Sequence, residues 1–426
     1  MRRVVFAVLV FALALPPLAA QARKNKVYYE KAYEDPVLKE MDQVREASGK
    51  AAAERTDKIR QELKARQGKE ERRSLKSDLT GVEPPASVEA FHAPFHFPPQ
   101  AQYSTNTCWS FSTTSFYESE IFRLTGKKIK LSEMWTVYHE YLEKVHHWVE
   151  TRGGSLVAEG GESNALPRVW KKYGIVPAEA YPGIRAQDGR HDHVQLFGEI
   201  KAYLDLVKRE NIWDEGDVES HLRLILNKYL GEPPRTFSFG GRTMTAPEFL
   251  ARETGLVLDD YVEVMSTSYY PFYTRDEFRA PDNWWHSREY VNLPLDVWYG
   301  HLVSAAKRGY TVAIGGDVSE PGKIGQHNVC FIPSFDIPAA AIDQDSREFR
   351  IANHTTEDDH GIHLLGHVRH LGHDWFLIKD SGRSARWGKF EGYYFFRGDF
   401  IKLKMLTYTV HKDLLKDVLP KVTAAR

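Results

Sequence analysis

The stretch AQYSTNTCWSF, residues 101–111, contains one of the two cysteines in a chain of 426 residues. Gln102 lies six positions before Cys108, and Trp109 follows it directly. Cys108 has three competing readings: half of a disulfide with Cys330, a buried thiol, or a nucleophile. A thiol attacks as thiolate, and a helix N-terminus beside an imidazolium is the usual means of stabilising that form. Ser104, Thr105, Asn106 and Thr107 all belong to the N-cap residue types. Phe111, Thr114, Tyr117, Ile121 and Leu124 then recur at helical spacing, with Gly126 as a stop. The stretch therefore predicts a helix with Cys108 in its first turn and an apolar face turned inward.

A nucleophilic cysteine also needs a base and a group to orient it, and these must come from elsewhere in the chain. From about residue 311 the runs YTVAIGGDV, HGIHLLGH, DWFLIKDSG, GYYFFR and FIKLKMLTYTV are β-branched and aromatic, separated by turn residues, and read as strands. His360 opens one of these strands and Asp380 ends a later one, so antiparallel pairing would bring the two together. Asp380 could orient the imidazole through Nδ1–H. Gln102 could donate its amide beside the Cys108 backbone N–H to a developing oxyanion. Upstream, residues 130–182 read as mostly helical, broken by RGGSLVAEGGES (152–163), with a helix ending at Gly174. Residues 185–300 read as irregular, with helical patches and many aromatics. A helical first half and a strand-rich last third predict an α+β protein with two lobes.

Composition excludes several classes. Charged residues make up 27% and hydrophobic residues 42% of the chain, and the formal net charge is −1. No basic field points to nucleic acid. MRRVVFAVLVFALALPPLAAQA (1–22) has Arg2 and Arg3, an apolar run Val4–Leu15, two prolines and small residues. That layout predicts a signal peptide, with Ala20-Gln21-Ala22 as a small-x-small cleavage pattern. Export to a bacterial periplasm or the exterior is expected, with no membrane span once the signal is removed. Residues 23–90 follow as a charged helical arm or a removable prosegment. GVEPPASVEAFHAPFHFPPQ (81–100) carries five prolines and delivers extended chain to Cys108.

Q-x5-C-W-S-F, EGGESNALPRVWKKYGIVPAEAYP, DHG…LLGH…DWFLIKDSG and GYYFF occur in the order found in papain-like cysteine peptidases, which this chain resembles over residues 95–415. GGDVSE (315–320) and the large insertion before it are most similar to the bleomycin hydrolase and aminopeptidase C branch. The resemblance implies a peptidase domain over 91–415. Its helical lobe would span 91–184, its insertion 185–295 and its β lobe 296–415, leaving a tail of 416–426. It implies Cys108 as nucleophile, Gln102 in the oxyanion hole, His360 as base and Asp380 where the family has Asn. Gly160, Gly161 and Trp109 take substrate-side positions, the glycines with backbone along the cleft and Trp109 in a packing role. No metal or organic cofactor is implied, and the substrates would be peptides or proteins.

Two departures bear on activity. The family's Asn-Ser-Trp-Gly is Asp380-Ser381-Gly382-Arg383 here, so a carboxylate replaces the orienting amide and the shielding Trp is lost. A raised histidine pKa and an upward-shifted pH profile are expected. Members of the branch also have a longer C-terminal segment that enters the cleft and enforces exopeptidase action, so the expectation for this chain is open between aminopeptidase-like and endopeptidase action. A catalytically weak domain that binds peptides is the alternative, and the oligomeric state is open.

Other histidines offer rival chemistry. His363 and His367 share parity in a predicted strand, which would allow a weak surface metal site or simply a polar wet face. His327, near Cys330, is a competing base, and Cys330 reads as a small buried hydrophobe.

Overall fold

The computed structural model describes residues 28–69, 73–186 and 188–424. The expected signal segment, 1–22, lies outside them. Helix α1 (Pro36–Lys69) is built from Ala, Glu, Lys, Arg and Gln, all strong helix formers, and is exposed from residue 36 to residue 66. It falls in a unit that ends at Arg73, separate from the unit Ser74–Arg426.

In the second unit, α2 (Cys108–Thr125), α3 (Glu133–Glu150) and α4 (Ala165–Tyr173) form the helical side. Ser132 caps α3 by accepting the Trp135 N–H, and Gly126 ends α2 in the left-handed conformation that its missing Cβ permits. The pattern predicted for α2 is too narrow. The helix is buried on every side from Cys108 to Ile121, while Leu124 is 42% exposed. It runs through the middle of the molecule, which gives even its polar residues internal partners. Glu118 is one example, taking the Lys130 ammonium at 2.7 Å and the Leu131 N–H at 2.9 Å.

The insertion is more ordered than its composition suggests. It folds into α5 (Val194–Glu210), α6 (Glu215–Leu230) and α7 (Ala246–Glu253), and then donates strand β1 (Tyr261–Met265) to the main sheet. The remaining central strands are β2 (Val312–Gly316), β3 (His360–His370), β4 (His373–Lys379), β5 (Tyr393–Arg397) and β6 (Met405–His411). Their spatial order is β1-β6-β2-β3-β4-β5, antiparallel throughout, at the centre of an open eleven-stranded sheet. Helix α8 (Leu295–Lys307) packs on this sheet with α9 (Gln344–Ala352) and α10 (Gly398–Lys404) nearby. The run FIKLKMLTYTV was expected to be all strand, yet its first half belongs to the seven-residue helix α10 and β6 starts only at Met405. Short apolar runs do not separate helix from strand by period alone.

One apolar cluster joins α2–α7, a second joins the sheet to α8 and α10, and a third lies around Phe91, Leu365, Trp375 and Phe395. Trp170, Trp298 and Trp375, one in each cluster, are almost completely buried. Truncating such a side chain to Ala typically costs about 3–5 kcal/mol. The architecture is α+β, and it sets the start of α2 against the start of β3.

Candidate active site

Cys108 is the first residue of α2 and is 9% exposed. Thr107 occupies the N-cap position, but no side chain caps the helix. Its hydroxyl lies 2.6 Å from Thr105 Oγ1, which donates to Gln102 O at 3.0 Å. The threonines therefore brace the loop instead of capping, and the positive end of the helix is left for a negative charge.

Close approach of β3 completes this corner. A Cβ on Gly361 would lie 2.9 Å from Ser112 Oγ and 3.1 Å from Trp109 Cα, so glycine is what lets β3 rest on the first turn of α2. The Gly361 N–H then donates to Cys108 Sγ at 3.4 Å.

The β3–β4 hairpin turns through Leu371 and Gly372, both at positive φ, and its open end holds His360 and Asp380 together. His360 Nε2 lies 2.7 Å from Asp380 Oδ1, which also accepts the Gly382 N–H at 2.6 Å. The contact was expected through Nδ1. Because Nε2 reaches the carboxylate, Nδ1 is the nitrogen left for the thiol. Burial alone would favour neutral imidazole. The Asp380 charge, the Cys108 thiolate and hydrogen bonds to both override it and raise His360 to about 10. For Asp380, burial opposes ionisation, but His360, Lys323 and the Gly382 N–H hold its carboxyl well below the usual range. Lys323 Nζ is 3.5 Å from Asp380 Oδ2 and 5.1 Å from the centre of the Tyr394 ring. Nothing local in KIGQHNVC marks Lys323, and sequence reading missed it.

Gln102 is tied to the loop that carries Asp380. Its backbone N–H donates to Ser381 O at 3.1 Å, and the Ser381 hydroxyl donates to Gln102 Oε1 at 2.7 Å. Fixing Oε1 in this way leaves the amide Nε2 as the donor end. Trp109 is 2% exposed and gives its indole N–H to Glu159 O at 3.0 Å. A Cβ on Gly161 would meet that ring at 2.9 Å, so Trp109 supports the Gly160–Gly161 loop by packing. These residues border a cavity of about 300 Å³ that Cys108, His360, Gly160 and Gly161 share with Glu162, Asp282 and Asp358. The three carboxylates also escaped sequence reading; Asp282 comes from the insertion, where no pattern singles it out.

The rival residues lie elsewhere. Both cysteines are free thiols, and Cys330 is fully buried, which pushes its thiol well up. His327 is exposed on a short turn. His363 and His367 do not share a face, because a bulge in β3 shifts the register between them. His363 is buried against Ser115 at 2.9 Å, and His367 pairs with Asp374 at 2.8 Å. Neither stands on a wet surface. Among the described residues, no group of three or more His, Cys, Asp or Glu side chains is placed to hold a metal ion.

No family model matches the chain. Aminopeptidase C of Lactococcus lactis subsp. cremoris is 23% identical over 367 residues, 74% of this chain and 81% of that protein. Aminopeptidase C of Streptococcus thermophilus is 24% identical over 265 residues, 51% and 58% of the two chains. Among solved structures, PepW from Lactobacillus rhamnosis HN001 matches with a TM-score of 0.64 at 18% identity, covering 92% of this chain and 97% of that one. The structural match carries the fold, and the sequence relatives make the chain similar to the cysteine peptidases of the papain-like type, on the side of aminopeptidase C.

Proposed function

We propose that the protein is an exported peptidase that works through a Cys108–His360–Asp380 thiolate mechanism. The observation that supports it best is the 2.7 Å bond from His360 Nε2 to Asp380, which commits the ring's other nitrogen to a cysteine at an uncapped helix N-terminus. Cys108 Sγ attacks the scissile carbonyl carbon, and the oxyanion that forms takes hydrogen bonds from the Gln102 amide and the Cys108 backbone N–H. As the C–N bond breaks, the His360 imidazolium gives its proton to the leaving amine, and an acyl-thioester remains. Water then attacks the thioester carbonyl and gives a proton to His360, and the carboxylic acid product leaves Cys108 free. Asp380 fixes the ring plane and stabilises the imidazolium throughout. Export rests on the layout of residues 1–22.

Labelling with a peptidyl epoxide tests the site. One adduct per chain on Cys108, none on Cys330, and loss of the adduct in His360→Ala are the expected results. An unlabelled Cys108 in folded protein, with no peptide hydrolysis, would favour a binding module.

A further inference from the structure

The cavity beside Cys108 is acidic: Glu162, Asp282, Asp358 and Asp359 line it, against His360 as the one cationic group among the described lining residues. Glu162 directly follows the Gly160–Gly161 loop and is 3% exposed. Asp358 lies two residues before His360, and Asp282 reaches in from the insertion so closely that a Cβ on Gly160 would collide with its carboxylate. Glu263 lies near Glu162 but is satisfied by Thr409 at 2.8 Å and Ser163 at 2.9 Å. Glu162 Oε1 and Asp358 Oδ1, both buried, receive no hydrogen from any protein donor among the described residues. No Lys, Arg or His nitrogen among those residues lies within 4.0 Å of Glu162, Asp282 or Asp358. Lys144 interacts with the cluster only at longer range, because its ammonium is spent on the Ala158 and Gly160 carbonyls.

Burying several carboxylates together with no cation in direct contact is costly. A proton shared between Glu162 and Asp358 would relieve part of that cost. Burial first, then the charge of Asp358, keeps the Glu162 carboxyl well above the ordinary range. Burial, with the charges of Asp282 and Asp359, raises Asp358, against the hydrogen bond with Glu162 and the charge of His360. A bound cation would replace that proton and supply the missing donors. The volume of about 300 Å³ accommodates one long side chain or a chain terminus.

We propose that this cavity is a specificity site for a cationic group of the substrate, an ammonium or guanidinium, with Glu162 and Asp358 as its direct partners and Asp282 adding charge. The inference rests on the peptidase reading above. Two sources share that chemistry, a basic side chain and a free N-terminal ammonium.

Three fluorogenic substrates separate them: acetyl-norleucyl-alanyl-, acetyl-lysyl-alanyl- and unblocked norleucyl-alanyl-aminomethylcoumarin. One of the two cationic substrates is expected to exceed the neutral one in kcat/KM by about tenfold or more. A faster lysyl substrate identifies the side chain, and a faster unblocked substrate identifies the terminus. Glu162→Gln, nearly isosteric, is expected to erase most of that preference, read as the ratio of kcat/KM for the cationic and neutral substrates measured on the same variant. Equal rates on all three substrates, or a preference that survives in the Glu162→Gln/Asp358→Asn double variant, would overturn the proposal. If no substrate is cleaved, the peptidase reading fails and the site is judged by binding. In Cys108→Ala protein, calorimetry with the matching peptide amides must still favour a cationic peptide over the neutral one, and equal affinities would refute the site.

Discussion

Asp380 is the residue whose chemistry separates this chain from the relatives it resembles, and Lys323 changes what that substitution means. A carboxylate in place of an amide should hold His360 protonated to higher pH, and His360 does lie at about 10. Lys323, 3.5 Å from the far oxygen, offsets part of the added charge. The signs then differ between two variants. Catalysis needs imidazolium, so activity falls as pH rises through the His360 pKa. Asp380→Asn removes the anion and should move the basic limb of the kcat/KM profile to lower pH. Lys323→Met leaves Asp380 uncompensated and should move it to higher pH. In the Asp380→Asn background Lys323→Met should still move it upward, because the lost cation repels imidazolium whichever residue stands at 380. A profile measured from pH 5 to 11 checks all three, and identical basic limbs in wild type and Asp380→Asn would contradict the account. The same pair bears on stability. His360 is raised, so its contribution is complete below about pH 6.5 and is lost as pH climbs through about 10. Asp380 is lowered, so its contribution is present above about pH 4 and is lost as acid protonates it. Cys108, Gln102, His360 and Asp380 were legible because each sits in a local run with its own pattern. Lys323, Glu162, Asp282 and Asp358 were not, because only tertiary packing gives them a common purpose.

At the level of elements, one contact aligns Cys108 with His360, the meeting of β3 and α2 at Gly361. Gly361→Ala should force them apart, lowering kcat/KM by about 100-fold with a stability loss of about 1–3 kcal/mol. Kinetics and urea unfolding together separate that displacement from simple unfolding. A second device holds α9, α10 and β6 in place. Arg347 is fully buried and donates to Ser266 O at 3.1 Å, Lys402 O at 2.8 Å and Leu406 O at 3.3 Å, with its guanidinium 5.1 Å from the Trp298 ring. Arg347→Met leaves those carbonyls unpaired and should cost about 3 kcal/mol in urea unfolding. The predicted strands were mostly found because alternation and turn residues mark them. The α10–β6 junction and the β3 bulge were not, since a seven-residue helix or one extra residue leaves too little periodic trace.

At the scale of the whole molecule, the insertion does more than decorate a peptidase fold. It supplies β1 to the sheet and Asp282 to the cavity, so both draw on a segment whose sequence reads as irregular. α1, by contrast, belongs to a separate unit and is exposed from residue 36 to residue 66. A chain beginning at Ser74 should therefore unfold within about 2 °C of the full chain, as scanning calorimetry would register. The central claim is covalent chemistry at one thiol. Rapid-quench mass spectrometry on the full chain with an activated peptidyl ester tests it most directly. The account predicts a transient acyl mass on the peptide containing Cys108, absent in Cys108→Ala, which also loses hydrolysis. Hydrolysis that continues in Cys108→Ala, or turns over with no Cys108 adduct at any time, would contradict it.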